Sequence, residues 1–387
     1  MNHPSPRIPV LALACTLFVV TTSEFQVAAM LTDMADDLHR PVADLTLLVT
    51  AYSLGAALGG PLLARATHGA PPRLTLIGVV VVYAVAEGAA ATMPNLAGLM
   101  AFRCLTGGLS GATFGLTLTA GMDLVDRSHQ PRAVSTILAG LMGGTLLGLP
   151  LSHVLTTWAG WRASFVALGA AAALMALSLT VVLPAAITPD ACPDAEADRS
   201  GLASPALWTR FTASFLTIGG AFAAFSLMDP LLRQAGLDGS AATAVMAAFG
   251  VAAFVGNHLT GRAGAGRAQR WLLAALTAQV AALALLAVAP HSVPAVNAGL
   301  VGLGATGMAL NPLLVTRVTT VAVPSAMVNT VHTSCITLGV AGATALAGRV
   351  VATGGGLRGA VLVGAALTLA AGLVVAATPD RRQGRAA

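Results

Sequence analysis

The chain of 387 residues contains no lysine; all 20 of its basic side chains are arginine. A phosphate-binding P-loop needs its Lys, so an ATPase of that kind is excluded, and so is a lysine Schiff base. Charge of either sign is scarce, at 9% of residues, against 56% hydrophobic. That balance suits neither a disordered chain nor an ordinary soluble domain. The four cysteines, Cys15, Cys104, Cys192 and Cys335, are scattered without ligand spacing, so no metal site is expected. Three of them lie in apolar segments and read as small packing residues. Nothing in the sequence asks for a cofactor.

What the chain has in abundance is long apolar segments. The first runs from about Val10 to Met30, and about 20 apolar residues suffice to cross a bilayer as a helix. Others follow at about 45–65, 73–93, 96–120, 132–156, 163–183, 206–228, 240–260, 270–289, 294–316, 326–350 and 357–377, twelve in all. The first is too long, and too polar at its outer end, for a cleaved signal peptide. The expected fold is therefore an all-α membrane protein of twelve transmembrane helices. The 42 glycines suit closely packed membrane helices.

Arginine sets the expected orientation. With both termini cytoplasmic, the inner side holds Arg7, Arg65, Arg73, Arg127, Arg132, Arg199, Arg210, Arg262, Arg267, Arg270, Arg317, Arg381, Arg382 and Arg385. The outer side holds Arg40, Arg162, Arg233, Arg349 and Arg358. Fourteen against five favours this arrangement. Trp158 and Trp161 then fall at the outer interface, Trp208 and Trp271 at the inner one. Between Pro184 and Pro205 the apolar run gives way to prolines and four acids, Asp190, Asp194, Glu196 and Asp198. This reads as a cytoplasmic linker, 185–205, between six-helix bundles at 1–184 and 206–387. The halves are loosely alike: a glycine near the end of the second and eighth segments is followed by a short turn, and an arginine, Arg73 or Arg270, opens the next. Internal repeats of this kind mark transporters.

The candidate chemistry lies inside the segments. Glu24, in Thr21-Thr22-Ser23-Glu24-Phe25, is an intramembrane acid, which costs roughly 2.5–3.5 kcal/mol on insertion scales. It should face protein or a water-filled path. Glu87 is a second such acid, or one that reaches the interface. In the fourth segment Arg103, Thr106, Ser110, Thr113 and Thr117 recur every three or four residues, on one helix face. Gly107, Gly111 and Gly115 form a stripe beside them. The hydroxyls face a wet cavity or bond back to their own helix; the fixed charge of Arg103 needs a partner or water. The fifth segment carries Gly140, Gly144, Gly148 and Pro150, which read as tight packing or as a hinge. In the seventh, Phe211, Phe215, Phe222 and Phe225 share a face, as an aromatic wall for a ligand or as core. His153, His258 and His332 read as polar packing rather than ligands.

Several of these stretches together resemble the major facilitator superfamily, in particular its bacterial twelve-helix drug:proton antiporters, and within them the branch of chloramphenicol, sugar and purine efflux proteins. TSEF, with Glu24, is similar to that branch's first-helix motif. FRCLTGGLSGATFG is similar to the fourth-helix signature, and GLPLSHVLTTWAGWRASF to the fifth-helix antiporter motif with Gly148, Pro150 and Gly160-Trp161-Arg162. DPLLRQAGL and GNHLTGR resemble the helix 7–8 region. The resemblance implies two six-helix bundles around a cavity that opens alternately to either side, lined by helices 1, 4, 7 and 10. It implies proton coupling by Glu24, Arg103 and Glu87, and substrate contacts from Thr21, Glu24, Thr106, Ser110, Thr113, Phe215, Phe222, Phe225 and Asn311, with Thr306 beside the last. Gating falls to Gly144, Gly148 and Pro150. The family's loop acid between helices 2 and 3 is missing from ARATHGAPPR, so the cytoplasmic latch is expected from Arg65 or Arg73 with Asp123 or Asp126. Ser152 stands where the family often has glycine.

The leading expectation is a proton-coupled exporter of a small amphipathic compound, an antibiotic such as a phenicol or a metabolite, in the inner (plasma) membrane. The partners expected are that compound, protons and the lipid bilayer; no nucleic acid is expected, and the chain should act as a monomer. An uptake carrier on the same fold is the alternative, and the motif at Gly148 and Pro150 favours export over it. A membrane sensor or an integral-membrane enzyme would need an output domain or a catalytic cluster, and the sequence has neither.

Overall fold

The computed structural model describes residues 7–66, 70–126, 128–184, 204–262, 267–322 and 326–379. Almost all of the linker expected at 185–205, together with Cys192, Arg127, Arg199, Arg381, Arg382 and Arg385, lies outside the described residues. Within them the chain is helical and no strand occurs. It forms two compact units, Met1–Cys192 and Pro193–Ala387.

Unit 1 contains α1 (Arg7–Gln26), a short α2 (Leu31–Asp37), α3 (Val42–Ala66), α4 (Pro72–Ala90), α5 (Leu96–Asp123), α6 (Gln130–Ala159) and α7 (Trp161–Val182). Unit 2 contains α8 (Pro205–Phe225), a short α9 (Met228–Gln234), α10 (Gly239–Gly261), α11 (Ala268–Val288), α12 (Val293–Thr306), α13 (Asn311–Thr319), α14 (Ala326–Val350) and α15 (Gly356–Ala377). Hydropathy finds nine helical stretches fit to cross a membrane, or ten with the bent pair α8–α9, whose axes differ by 44°. One of the nine, residues 327–377, is two rods joined where Gly354 turns to φ +92°. The stretch that hydropathy misses is α5, diluted by the glycines and hydroxyls beside Arg103. With those two accounted for, and α12–α13 taken as one broken rod, the twelve expected segments are all helical.

The two units repeat one pairing scheme. In unit 1, α1 packs on α6 and α7, α3 on α5, and α4 on α5 and α7. In unit 2, α8 packs on α14 and α15, α10 on α12, and α11 on α12 and α15. Glycine makes these pairings close. A Cβ on Gly107 would overlap the carbonyl of Tyr52, and one on Gly59 would overlap Gly108, so α3 and α5 meet backbone to backbone. A Cβ on Gly144 would come 2.7 Å from Thr21 Cβ and 2.8 Å from the Phe18 carbonyl. Small residues are what permit such approach where burial from lipid gives no drive. Gly115, expected in the same stripe, has open space around it. α6 runs unbroken through Pro150.

One expectation about packing needs correction: Cys15 and Cys104 do not fill the core, because their side chains are exposed. Trp158, Trp208 and Trp271 are exposed, whereas Trp161 is buried. Arg210 and Arg317 are buried within unit 2 and bound to Thr378.

Candidate functional site

The site is built where α1, α4, α5 and α7 meet in unit 1. Arg103 of α5 is fully buried, at 0% exposure, and a guanidinium cannot shed its charge. It donates to the Ser23 carbonyl at 3.1 Å, to Ser23 Oγ at 3.2 Å and, more distantly, to the Glu24 carbonyl at 3.5 Å. Its plane lies over the Tyr52 ring of α3, 4.2 Å from the centroid, a cation–π contact that strengthens where water is excluded.

Glu87 does not reach the interface; it too is 0% exposed. Ser23 Oγ donates to Glu87 Oε1 at 2.8 Å, and Gln26 Nε2 donates to the same oxygen. Ser164 of α7 donates to Gln26 Oε1 at 3.0 Å. Ser23 therefore stands between cation and carboxylate, accepting from one and donating to the other. No direct ion pair joins Arg103 to Glu24 or Glu87 among the described residues. Glu24 itself is half-buried, and the Arg103 charge acts on both carboxylates. The arrangement is one permanent cation and two carboxylates, one sealed in and one with access.

The other expected site residues divide. Thr106, Ser110 and Thr113 donate to carbonyls of their own helix, at Arg103, Gly107 and Leu109. That back-bonding leaves their oxygens free to accept but not to donate. Thr21 is buried and faces Gly144 of α6. Arg65 and Asp123 are exposed, and Asp123 lines a cavity of about 750 Å³ with Arg7, Asp126, His129 and Arg132. Arg73 donates to the Thr180 carbonyl at the end of α7, at 2.5 Å, rather than to an acid. At the other end, the Asp37 carboxylate accepts from Arg162 and, at 3.1 Å, from Trp161 Nε1. The Arg162 hydrogen bond holds Asp37 below the usual carboxylate range against the opposing effect of burial, and the Trp161 hydrogen bond adds to it.

The sequence pattern of the Major Facilitator Superfamily matches residues 13–340. The chain belongs to the Major Facilitator Superfamily. As a member of it, the chain is a multi-pass membrane transporter of small molecules and not an enzyme. It is 29% identical over 318 residues to a chloramphenicol resistance protein of Streptomyces lividans, covering 80% of each chain. It is 28% identical over 255 residues to the inner membrane transport protein YdhP of Escherichia coli, covering 66% of this chain and 65% of that one. A probable sugar efflux transporter of Mannheimia succiniciproducens is 27% identical over 255 residues, covering 65% and 64%. A bacterial homologue of the human lysosomal transporter Spinster, solved facing inward, shares the fold with a TM-score of 0.73 at 17% identity over 98% of both chains.

In unit 2 of this transporter, the phenylalanines of α8 go to separate places. Phe211 stacks on His332, with centroids 5.4 Å apart, while Phe222 packs on Phe225 and that on Phe249 of α10. Phe215 is half-buried against Gly339 and Gly342 of α14. Asn311 is exposed at the start of α13, and Thr306 donates to the Gly302 carbonyl. Polar contacts that the spacing rules did not flag hold this unit together. His332 Nε2 meets Ser214 Oγ at 2.8 Å, and Gln279 Nε2 reaches the Thr217 carbonyl and, at 2.9 Å, Thr368 Oγ1. These contacts join residues of different helices, which spacing along one helix does not relate. Ser23, Gln26 and Tyr52 meet their partners in the same way, although Ser23 and Gln26 flank the suspect Glu24.

Proposed function

We propose that this transporter exports a small amphipathic compound, an antibiotic such as a phenicol or a metabolite, in exchange for protons, by alternating access between two six-helix bundles at 1–184 and 206–387. The observation that carries the reading is the asymmetry of the two acids around Arg103: Glu87 is sealed behind Ser23 and Gln26, while Glu24 is half-buried and close to the same charge. A carboxylate poised between a fixed cation and an accessible space changes proton affinity when either moves. One pKa unit corresponds to about 1.4 kcal/mol. Moving one charge through 100 mV yields about 2.3 kcal/mol, so a modest swing suffices to couple one proton to one export event. Relatives named for chloramphenicol resistance and for sugar efflux support the outward direction.

The decisive variant is Glu24→Gln in proteoliposomes, read by drug-induced proton movement. The variant should insert and fold, yet lose coupled proton flux. Flux retained at wild-type stoichiometry in a well-folded variant would rule Glu24 out as the carrier.

The arginine bias supports cytoplasmic termini and a cytoplasmic 185–205 linker. Single cysteines in that linker should react with an impermeant thiol reagent only after the membrane is opened; labelling in sealed cells would overturn the orientation.

A further inference from the structure

Unit 2 carries an apolar groove of about 720 Å³ between α10, α11 and α12. Its walls include Val251, Val255 and Leu259 of α10, Trp271 of α11, and Val301 and Ala305 of α12. The floor is made by Gly256, where a Cβ would overlap the Ala305 carbonyl, and by Thr260, whose hydroxyl is spent on the carbonyls of Asn257 and Ala309. The groove is therefore almost wholly apolar, and Val251, Val255, Leu259 and Trp271 stay exposed along its edge.

Charge collects at one end of it. Arg262 closes α10 three residues beyond Leu259, and Arg267 and Arg270 open α11 beside Trp271. All three are exposed. From Gly239 to Pro379 the sequence has no acid at all, so unit 2 supplies no carboxylate to these arginines from any helix beyond Asp238. Among the described residues, Arg210 and Arg317 at this end are buried and bound to Thr378. An apolar slot at membrane depth, a tryptophan at its end and three exposed arginines at its mouth together have the chemistry of one molecule: an anionic phospholipid, with an acyl chain in the slot and a phosphate among the arginines.

We infer that the α10–α11–α12 groove is a binding site for an anionic phospholipid, its headgroup held by Arg262, Arg267 and Arg270. Each basic side chain near a membrane surface is worth roughly a fivefold gain in affinity for anionic lipid. This site is independent of the proton-coupling reading, since it shares no residue with it.

Trp271 makes the test direct. The full chain is reconstituted in nanodiscs containing brominated phosphatidylglycerol or brominated phosphatidylcholine, and the quenching lost in Trp271→Phe isolates that ring. Brominated phosphatidylglycerol should quench Trp271 at about a tenfold lower mole fraction than phosphatidylcholine. Arg262→Gln/Arg267→Gln/Arg270→Gln should abolish that preference. Ala252→Phe/Ala275→Phe, which fills the slot and keeps the arginines, should abolish it too. Equal quenching by the two lipids in the unmodified protein would overturn the site. A preference that survives filling of the slot would also overturn it, by showing that arginines attract headgroups without a seated chain.

Discussion

Arg103→Leu removes the one cation that faces two intramembrane carboxylates, and the structure predicts how its cost divides. Arg103 and Glu87 are both fully enclosed and are joined through Ser23 Oγ, with bonds of 3.2 and 2.8 Å. Removing one partner of a buried charge pair costs about 3–5 kcal/mol, mostly because the other charge is left uncompensated. The same argument says that Glu87→Gln should rescue Arg103→Leu, because a neutral amide needs no counter-charge. The Ser23 and Gln26 side chains can still serve that amide's oxygen. A double-mutant cycle on equilibrium unfolding in mixed micelles should therefore return a coupling of about 2 kcal/mol or more, with Arg103→Leu/Glu87→Gln more stable than Arg103→Leu alone. Arg103→Lys should restore little, since an ammonium lacks the planar face that lies on Tyr52. Additivity within about 0.5 kcal/mol would refute the reasoning, because it would mean that Glu87 does not feel the Arg103 charge.

Two further outcomes follow from the same geometry. Gly144→Leu with Gly148→Leu should stop transport in vesicles, since even a Cβ would come 2.7 Å from Thr21 Cβ at one site and 3.1 Å from Thr22 Cα at the other; normal transport would show that α6 need not sit against α1 during the cycle. Asp37→Asn should lower the thermal midpoint slightly at pH 7, by an amount worth less than about 1 kcal/mol because the Arg162 pair is exposed. The Asp37 pKa is depressed, so its contribution is present above the ordinary carboxylate value and is lost as pH falls through the depressed one. The variant and the parent should converge in acid, and a difference that persists there would assign the effect to packing.

The helices were legible because each segment is long and apolar, and α5 was legible through its polar stripe although hydropathy passes over it. Arg103 was legible because a charge that cannot be neutralised stands alone on a helix face. Its partner was not. The sequence named Glu24, Arg103 and Glu87 together without relating them, and the structure puts the Ser23 hydroxyl between Arg103 and Glu87. Helical spacing relates residues of one helix, whereas Ser23, Glu87 and Arg103 come from three. Pro150 lies inside α6, which continues through it; the proline removes one backbone donor without ending the helix. The aromatic stripe of α8 is real in register, but its rings turn to different neighbours, a matter of packing that spacing cannot contain.

The repeat itself shows where likeness in sequence and likeness in structure part. The end of a helix leaves carbonyls without partners and a partial negative charge, and each unit must satisfy the end of its last helix. In unit 1, Arg73 at the start of α4 donates to Thr180 of α7. The loop comparison pairs Arg73 with Arg270, yet Arg270 is exposed. The residue doing the corresponding work is its neighbour Gln269, which donates to the Val375 carbonyl of α15 at 2.9 Å. A neutral amide suffices there because the positive charge arrives from elsewhere: Arg210 of α8 and Arg317 of α13 both bind Thr378, at the end of the same helix. One arginine on one carbonyl in unit 1 thus becomes two buried arginines and an amide in unit 2. With that helix end served by Gln269, Arg210 and Arg317, Arg270 stands exposed at the mouth of the apolar groove with Arg262 and Arg267.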